Sequence, residues 1–198
     1  LSATTDLSAL VLVFPEEGDR FTVLPHFWIP SEPDLRDRSR RDRMAYDVWS
    51  REGYLELCPG AVIDQQQIRK KINELAELYN IREIAIDRWN ATDLAIRLRD
   101  DGHEVAFFGQ GFRSMSAPSK KLEELVIDSR IAHGAHPLLR ANIERVEIMT
   151  DPAGNIKPTK GKSAERIDGV VALLMGLGRA MVRDDDLNVY ENRGIRSI

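Results

Sequence analysis

The sequence predicts an α/β domain with a mixed β-sheet flanked by helices, and three observations carry that prediction. Two apolar, β-branched runs, Leu7 to Phe14 and Phe21 to Ile29, are joined by Pro15-Glu16-Glu17-Gly18-Asp19, the pattern of an antiparallel hairpin. Strand-like and helical periods then alternate, as they do where helices cover the faces of a sheet. An apolar helical stretch from Gly169 to Val182, interrupted by Arg179 alone, closes the pattern.

At 198 residues the chain suits one domain with a full-sized core. Its 42% hydrophobic and 30% charged residues exclude a disordered segment. A net charge of -4 argues against tight autonomous binding to nucleic acid, which calls for a basic excess. It leaves room for a basic groove beside an acidic site. The single cysteine, Cys58, permits no internal disulfide and fits a reducing compartment. His133 and His136 stand three apart with no third ligand nearby, so zinc spacing is lacking. The stretch from Gly169 to Val182 is too short to span a bilayer. No basic region followed by an apolar core marks a signal peptide at the N-terminus.

After the hairpin, Pro30-Ser31-Glu32-Pro33 breaks the pattern. Asp34 to Arg51 mixes charges around Leu35, Met44, Tyr46 and Trp49 and reads as a partly exposed helix with a connecting segment; the run Arg36 to Arg43 is expected to be a solvated face. Tyr54 to Leu57 is a short strand. Asp64 starts a helix with Ile68, Ile72, Leu75 and Tyr79 at helical spacing. Ile81 to Ile86 is apolar enough for a central strand covered on both faces. Asn90 can cap the next helix, which ends at Gly102. Glu104 to Phe108 is a strand, Gln110 to Ala117 a polar loop, Pro118 to Ile131 and Pro137 to Ile143 helices, and Val146 to Met149 a strand. Asp151 to Asn155 is a turn, Lys157 to Lys162 a basic loop, and Ser163 caps the last helix.

Three acids stand out. Asp87 ends an apolar strand, where α/β sheets place ligands; it reads equally as an Asx-turn residue or second cap. Asp168 borders the apolar seam of the last helix, beside small Ala172 and Gly176; it reads also as a first-turn acid stabilising the helix dipole. Asp6 precedes the first strand after Thr4-Thr5, where turn acids are routine. Carboxylates at strand ends and helix starts can converge, and converging carboxylates repel unless a divalent cation sits between them. A metal-dependent phosphoryl-transfer site is therefore expected. Gly161-Lys162-Ser163 mimics the end of a P-loop, but Ile156 stands where its first glycine belongs. Arg88, Lys120, Lys160, Lys162 and Arg166 are the basic residues placed to meet phosphates, with solvated surface charge as the plainer reading of each.

Taken together, several blocks resemble the C-terminal nuclease domain of the large terminase subunit of tailed bacteriophages. They are Leu1 to Leu10; Asp42 to Gly60 with Tyr46, Trp49, Gly53, Pro59 and Gly60; Ile86-Asp87-Arg88-Trp89-Asn90-Ala91; Gly109-Gln110-Gly111; His133 to Pro137; and Arg166 to Leu173. The blocks follow in order over nearly the whole chain. The resemblance implies an RNase H-like fold and a metal-dependent endonuclease that cuts concatemeric viral DNA during packaging. It implies that Asp87 and Asp168 bind metal, with Asp6 as an auxiliary acid of the same catalytic cluster, and two Mg²⁺ or Mn²⁺ ions are the expected occupants of that cluster. It implies double-stranded DNA, a terminase ATPase domain, the small terminase subunit and the portal as partners, and the host cytoplasm as the place of action, with no membrane. The family opens with a strand ending in Gly-x-Asp just ahead of the Leu-Ser pair, whereas this sequence starts at Leu1, and it holds no Walker motif. The expected organisation is a nuclease domain over residues 1–183, its first strand and that strand's Asp lying upstream, and a polar tail over 184–198. Another RNase H-like enzyme of resolvase or transposase type, or a non-catalytic portal or capsid docking module, are the competing functions.

Overall fold

The computed structural model describes residues 7–87, 92–161 and 166–192, with 183–192 as backbone alone. The order of elements is β1 (Ser8–Glu16), β2 (Arg20–Pro30), α1 (Leu35–Asp42), α2 (Tyr46–Arg51), β3 (Glu56–Cys58), α3 (Gln65–Leu78), β4 (Ile84–Asp87), α4 (Thr92–Asp100), β5 (Val105–Phe108), α5 (Phe112–Ile127), β6 (Ile131–Ala132), α6 (Pro137–Ile143), β7 (Val146–Thr150), β8 (Ile156–Lys160) and α7 (Asp168–Asn192).

The opening hairpin is as expected: β1 and β2 pair antiparallel from Ser8 opposite Trp28 to Glu16 opposite Arg20. The other edge of β2 takes β3 at Trp28 to Pro30 and β6 at Phe21 and Thr22, both parallel. β4 and β5 pair parallel, and β7 and β8 form an antiparallel ribbon. The two-residue period of β2 sends Phe27 and Ile29 to one core and Trp28 to the other. On the Trp28 face, Ile68 and Ile72 of α3 and Leu94 and Leu98 of α4 pack against Ile84 and Ile86. On the Phe27 face lie Leu138 and Leu139 of α6 and Leu173 of α7. In a separate cluster Met115 of α5 packs with Val170, Leu174 and Met175 of α7. Helices thus cover both faces of the strand layer, which fits the predicted class.

Several local expectations change. Asp34 to Arg51 divides into two helices, because Arg43 adopts a left-handed conformation (φ 51°) that ends α1. The run Arg36 to Arg43 is not a uniformly solvated face: Arg38 is buried and its guanidinium donates to the Glu32 carbonyl. Gln110 to Ala117 is not a loop beyond its first residues. Helix α5 starts at Phe112 and carries Pro118 inside it, since Met115 and Ser116 turn into the core and hold that segment helical. Lys157 to Lys162 is not simply a basic loop, for Ile156 to Lys160 pair with β7. The hairpin turn between these strands is fastened by Asp151, whose Oδ1 accepts from the backbone N of Ala153 and Asn155. The last helix starts at Asp168 rather than after Ser163, and it runs to Asn192, past residue 183. Asn90 and Ser163, the expected caps, lie outside the described residues.

Candidate metal centre

The site is built where β1, β4 and α7 meet. β1 is hydrogen-bonded to β2 along its length and β4 to β5. Among the described residues neither strand has a partner on its other edge. Between them lies a cleft of ≈ 1300 Å³ lined by residues 9–15 of β1, residues 79–87 leading into and along β4, and one face of α7. Helix α7 lies tight against β1 because Gly176 has no side chain; a Cβ there would come within 2.8 Å of Val13 Cγ2.

Asp87 and Asp168 both line this cleft, with Gln110 and Lys160 beside them. Asp87 is the last residue of β4, and Gln110 Nε2 donates to its Oδ2 at 2.8 Å. Asp168 is the first residue of α7, and its Oδ2 is buried with no hydrogen-bond partner among the described residues. Burial pushes the Asp168 carboxyl above its ordinary value, against the opposing pull of Lys160 and Arg166. At the other end of the cleft Arg179 of α7 clasps Glu83. Eleven helical residues at 1.5 Å each put the two ends of the cleft about 16 Å apart. Apolar Val171, Ala172 and Met175 lie between.

Behind Asp168 sits a second group of charges. Arg166 Nε lies 3.7 Å from Asp42 Oδ2, with their side chains 13% and 8% exposed. Arg41 and the Tyr46 hydroxyl also reach Asp42. Burial, reinforced by Asp42, pushes the Tyr46 phenol well above its ordinary value, so it stays a neutral donor. Arg166 therefore neutralises a buried acid of α1, whatever else it meets. Lys120 is exposed on α5, and Lys160 ends β8 at the rim of the cleft. Asp6, Arg88 and Lys162 lie outside the described residues. Among the described residues, no three His, Cys, Asp or Glu side chains form a metal-binding group. Asp87 and Asp168 together fit a hard cation chemically: both are carboxylates lining the cleft, and one oxygen is buried without a partner among the described residues.

The endonuclease-domain profile of the terminase large subunit matches residues 1–184. The chain belongs to that family. It is 37% identical to the terminase large subunit of Enterobacteria phage HK97 over 186 residues, covering 91% of this chain and 36% of the relative. It is 29% identical to protein YmfN of Escherichia coli (strain K12) over 210 residues, all of this chain and 46% of that one. The crystal structure of the HK97 bacteriophage large terminase superposes with a TM-score of 0.83 at 36% identity, over 90% of this chain and 38% of that one. This terminase nuclease domain therefore spans between a third and a half of the relatives it matches, and its fold is RNase H-like. No helix among its described residues is long and apolar enough to cross a membrane.

Gln110, which donates to Asp87, and Asn142, which accepts from the backbone N of Gly169, had no assigned role in the sequence. Gln110 was visible only as part of Gly109-Gln110-Gly111, and Asn142 carried no local signal at all. Their partners are far away along the chain, and only the spacing of helices and strands brings them together.

Proposed function

We propose that this terminase domain is a divalent-metal-dependent endonuclease that cuts double-stranded DNA during viral genome packaging in the cytoplasm of the bacterial host. The observation that carries the reading is that Asp87 and Asp168 line one cleft, the latter with a buried oxygen that lacks a partner among the described residues. Asp87 and Asp168 would hold Mg²⁺ or Mn²⁺, two ions in the full site, with Asp6 as an auxiliary acid. Such ions, when bound, supply activation of water and neutralisation of charge at the leaving 3′ oxygen. The chain's own residues do the rest. Gln110 would orient Asp87 through its hydrogen bond, the start of α7 would fix Asp168, and Lys160, which lines the cleft, would meet a backbone phosphate. Arg88, Lys120, Lys162 and Arg166 are further candidates for such contacts. The ATPase domain, small terminase subunit and portal are the expected partners, and would supply the processivity that a domain of net charge -4 lacks.

The cleft has a second part in this reading. A cleft about 16 Å long between two open strand edges suits an extended segment of about five residues, hydrogen-bonded on both sides. The strand that the family resemblance places ahead of Leu1 is the proposed occupant, and its terminal Asp would join the acidic end. Supercoiled-plasmid nicking with Mn²⁺ tests the whole proposal, on this chain and on one extended at its N-terminus. The extended chain should nick and Asp168→Asn should not. Equal cleavage by the two would remove Asp168 from the mechanism. Millimolar Mn²⁺ should also raise the melting temperature, because it binds only the folded state.

A further inference from the structure

We propose that Asn142 is a positioning residue for Asp168, an inference that rests on the reading of Asp168 as a metal ligand. Asn142 is on α6 and fully buried, and its Oδ1 accepts from the backbone N of Gly169 at 2.8 Å. The first N–H groups of a helix have no acceptor within the helix, and a polar residue just ahead of it ordinarily supplies one. Ahead of α7 stands Ile167, whose side chain cannot accept. The acceptor comes instead from a different helix, so the start of α7 is tied to α6. The peptide group it holds is the one that follows Asp168.

The seat is also close. A Cβ on Gly169 would lie 2.7 Å from Phe27 Cζ and 3.0 Å from Asn142 Oδ1, and Phe27 is itself buried. The backbone of Asp168 is thus clamped between a core ring and a buried amide, which limits how far its carboxylate can swing. The choice of an amide is informative. Asn142 Nδ2 is buried with no partner among the described residues, which costs stability. An aspartate would accept from Gly169 without an orphan donor, but would put a second negative charge behind Asp168. Asn142 accepts the bond and stays neutral.

The test compares Asn142→Leu and Asn142→Asp with the parent chain, extended at its N-terminus. Two readouts are taken: hydrogen exchange at the Gly169 amide, and Mn²⁺ affinity by titration calorimetry under conditions where circular dichroism shows folded protein. In Asn142→Leu, Gly169 exchange should accelerate and Mn²⁺ affinity should fall about tenfold. In Asn142→Asp, which keeps the acceptor, protection should persist and Mn²⁺ should bind at least as tightly as to the parent. Faster exchange in the leucine variant with unchanged Mn²⁺ affinity would make Asn142 a purely structural cap and overturn the proposal. Should the leucine variant not fold, the aspartate variant decides alone, and weakened Mn²⁺ binding by it overturns the proposal. A parent chain that binds no Mn²⁺ defeats the metal reading itself, and this inference with it.

Discussion

Arg179 grips Glu83 with both sides of its guanidinium, Nε to Oε2 at 2.8 Å and Nη2 to Oε1 at 3.1 Å. The pair ties α7 to the residue before β4 across the end of the cleft remote from Asp87 and Asp168. Glu83 is only 6% exposed in its side chain, whereas Arg179 is 33% exposed. Replacing the arginine therefore withdraws two charged hydrogen bonds from a largely buried carboxylate. Arg179→Leu should destabilise by about 2–3 kcal/mol in urea unfolding, and Glu83→Gln added to it should recover part of that loss. A loss under about 0.5 kcal/mol would class the pair with weak surface bridges.

Gln110 is exposed, so its removal disturbs little packing, yet it donates to Asp87 at 2.8 Å. Gln110→Ala should lower Mn²⁺-dependent nicking about tenfold while leaving the melting temperature within about 1 °C. Full activity in that variant would show that Asp87 needs no orientation from this side.

His136 gives the fold an acid-sensitive joint. Its Nδ1 accepts from Leu139 N at 3.4 Å, capping α6, and its ring meets Phe27 and Tyr54. Burial, with His26 and His133 nearby, lowers its pKa from 6.5 to about 4. The neutral ring is the folded form, so stability is complete above about pH 6.5 and drains away as pH falls towards 4. Because the residue is only half-buried, the loss should be on the order of 1 kcal/mol. An asparagine side chain at this position would keep an acceptor at the cap and carry no proton, so His136→Asn should flatten the stability curve between pH 6.5 and 4. An unchanged slope would move the titration to another group.

Gly169 and Gly176, which bring α7 against β2 and β1, should answer differently to alanine. A methyl at Gly169 meets the buried Phe27 ring at 2.7 Å and Asn142 Oδ1 at 3.0 Å, both held firmly. A methyl at Gly176 has one close neighbour, Val13 Cγ2 at 2.8 Å, on a half-buried strand at the cleft. Gly169→Ala should cost about 1–3 kcal/mol despite its gain in helix propensity. Gly176→Ala should come out closer to neutral, because the propensity gain of about 1 kcal/mol offsets a displaced methyl. Equal losses by thermal melts would mean that α7 is free to shift at its start.

The elements legible in the residues were those whose signal is local. The apolar, β-branched runs of β1 and β2 and the helical period of Ile68, Ile72 and Leu75 need no partner to be recognised. Also legible were the positions of Asp87 at a strand end and Asp168 at the start of an apolar helix, together with the family pattern around them. Elements written in polar residues were not legible. Helix α5 begins among glycine and serine because Met115 finds a core and Ser116 holds the backbone of Ile156. β8 carries Lys157, Pro158 and Lys160 and is a strand through its pairing with β7.

The amino-acid sequence by itself determined the class of fold, the family and the two acids worth watching, since each rests on residue type and spacing along one segment. Tertiary structure alone decided that those acids share a cleft, that an amide from α6 caps α7, and that Arg38 and Arg166 turn inward. The reason is physical: such contacts join segments distant along the chain, and their geometry is set by how β1, α6 and α7 pack, which no local pattern encodes.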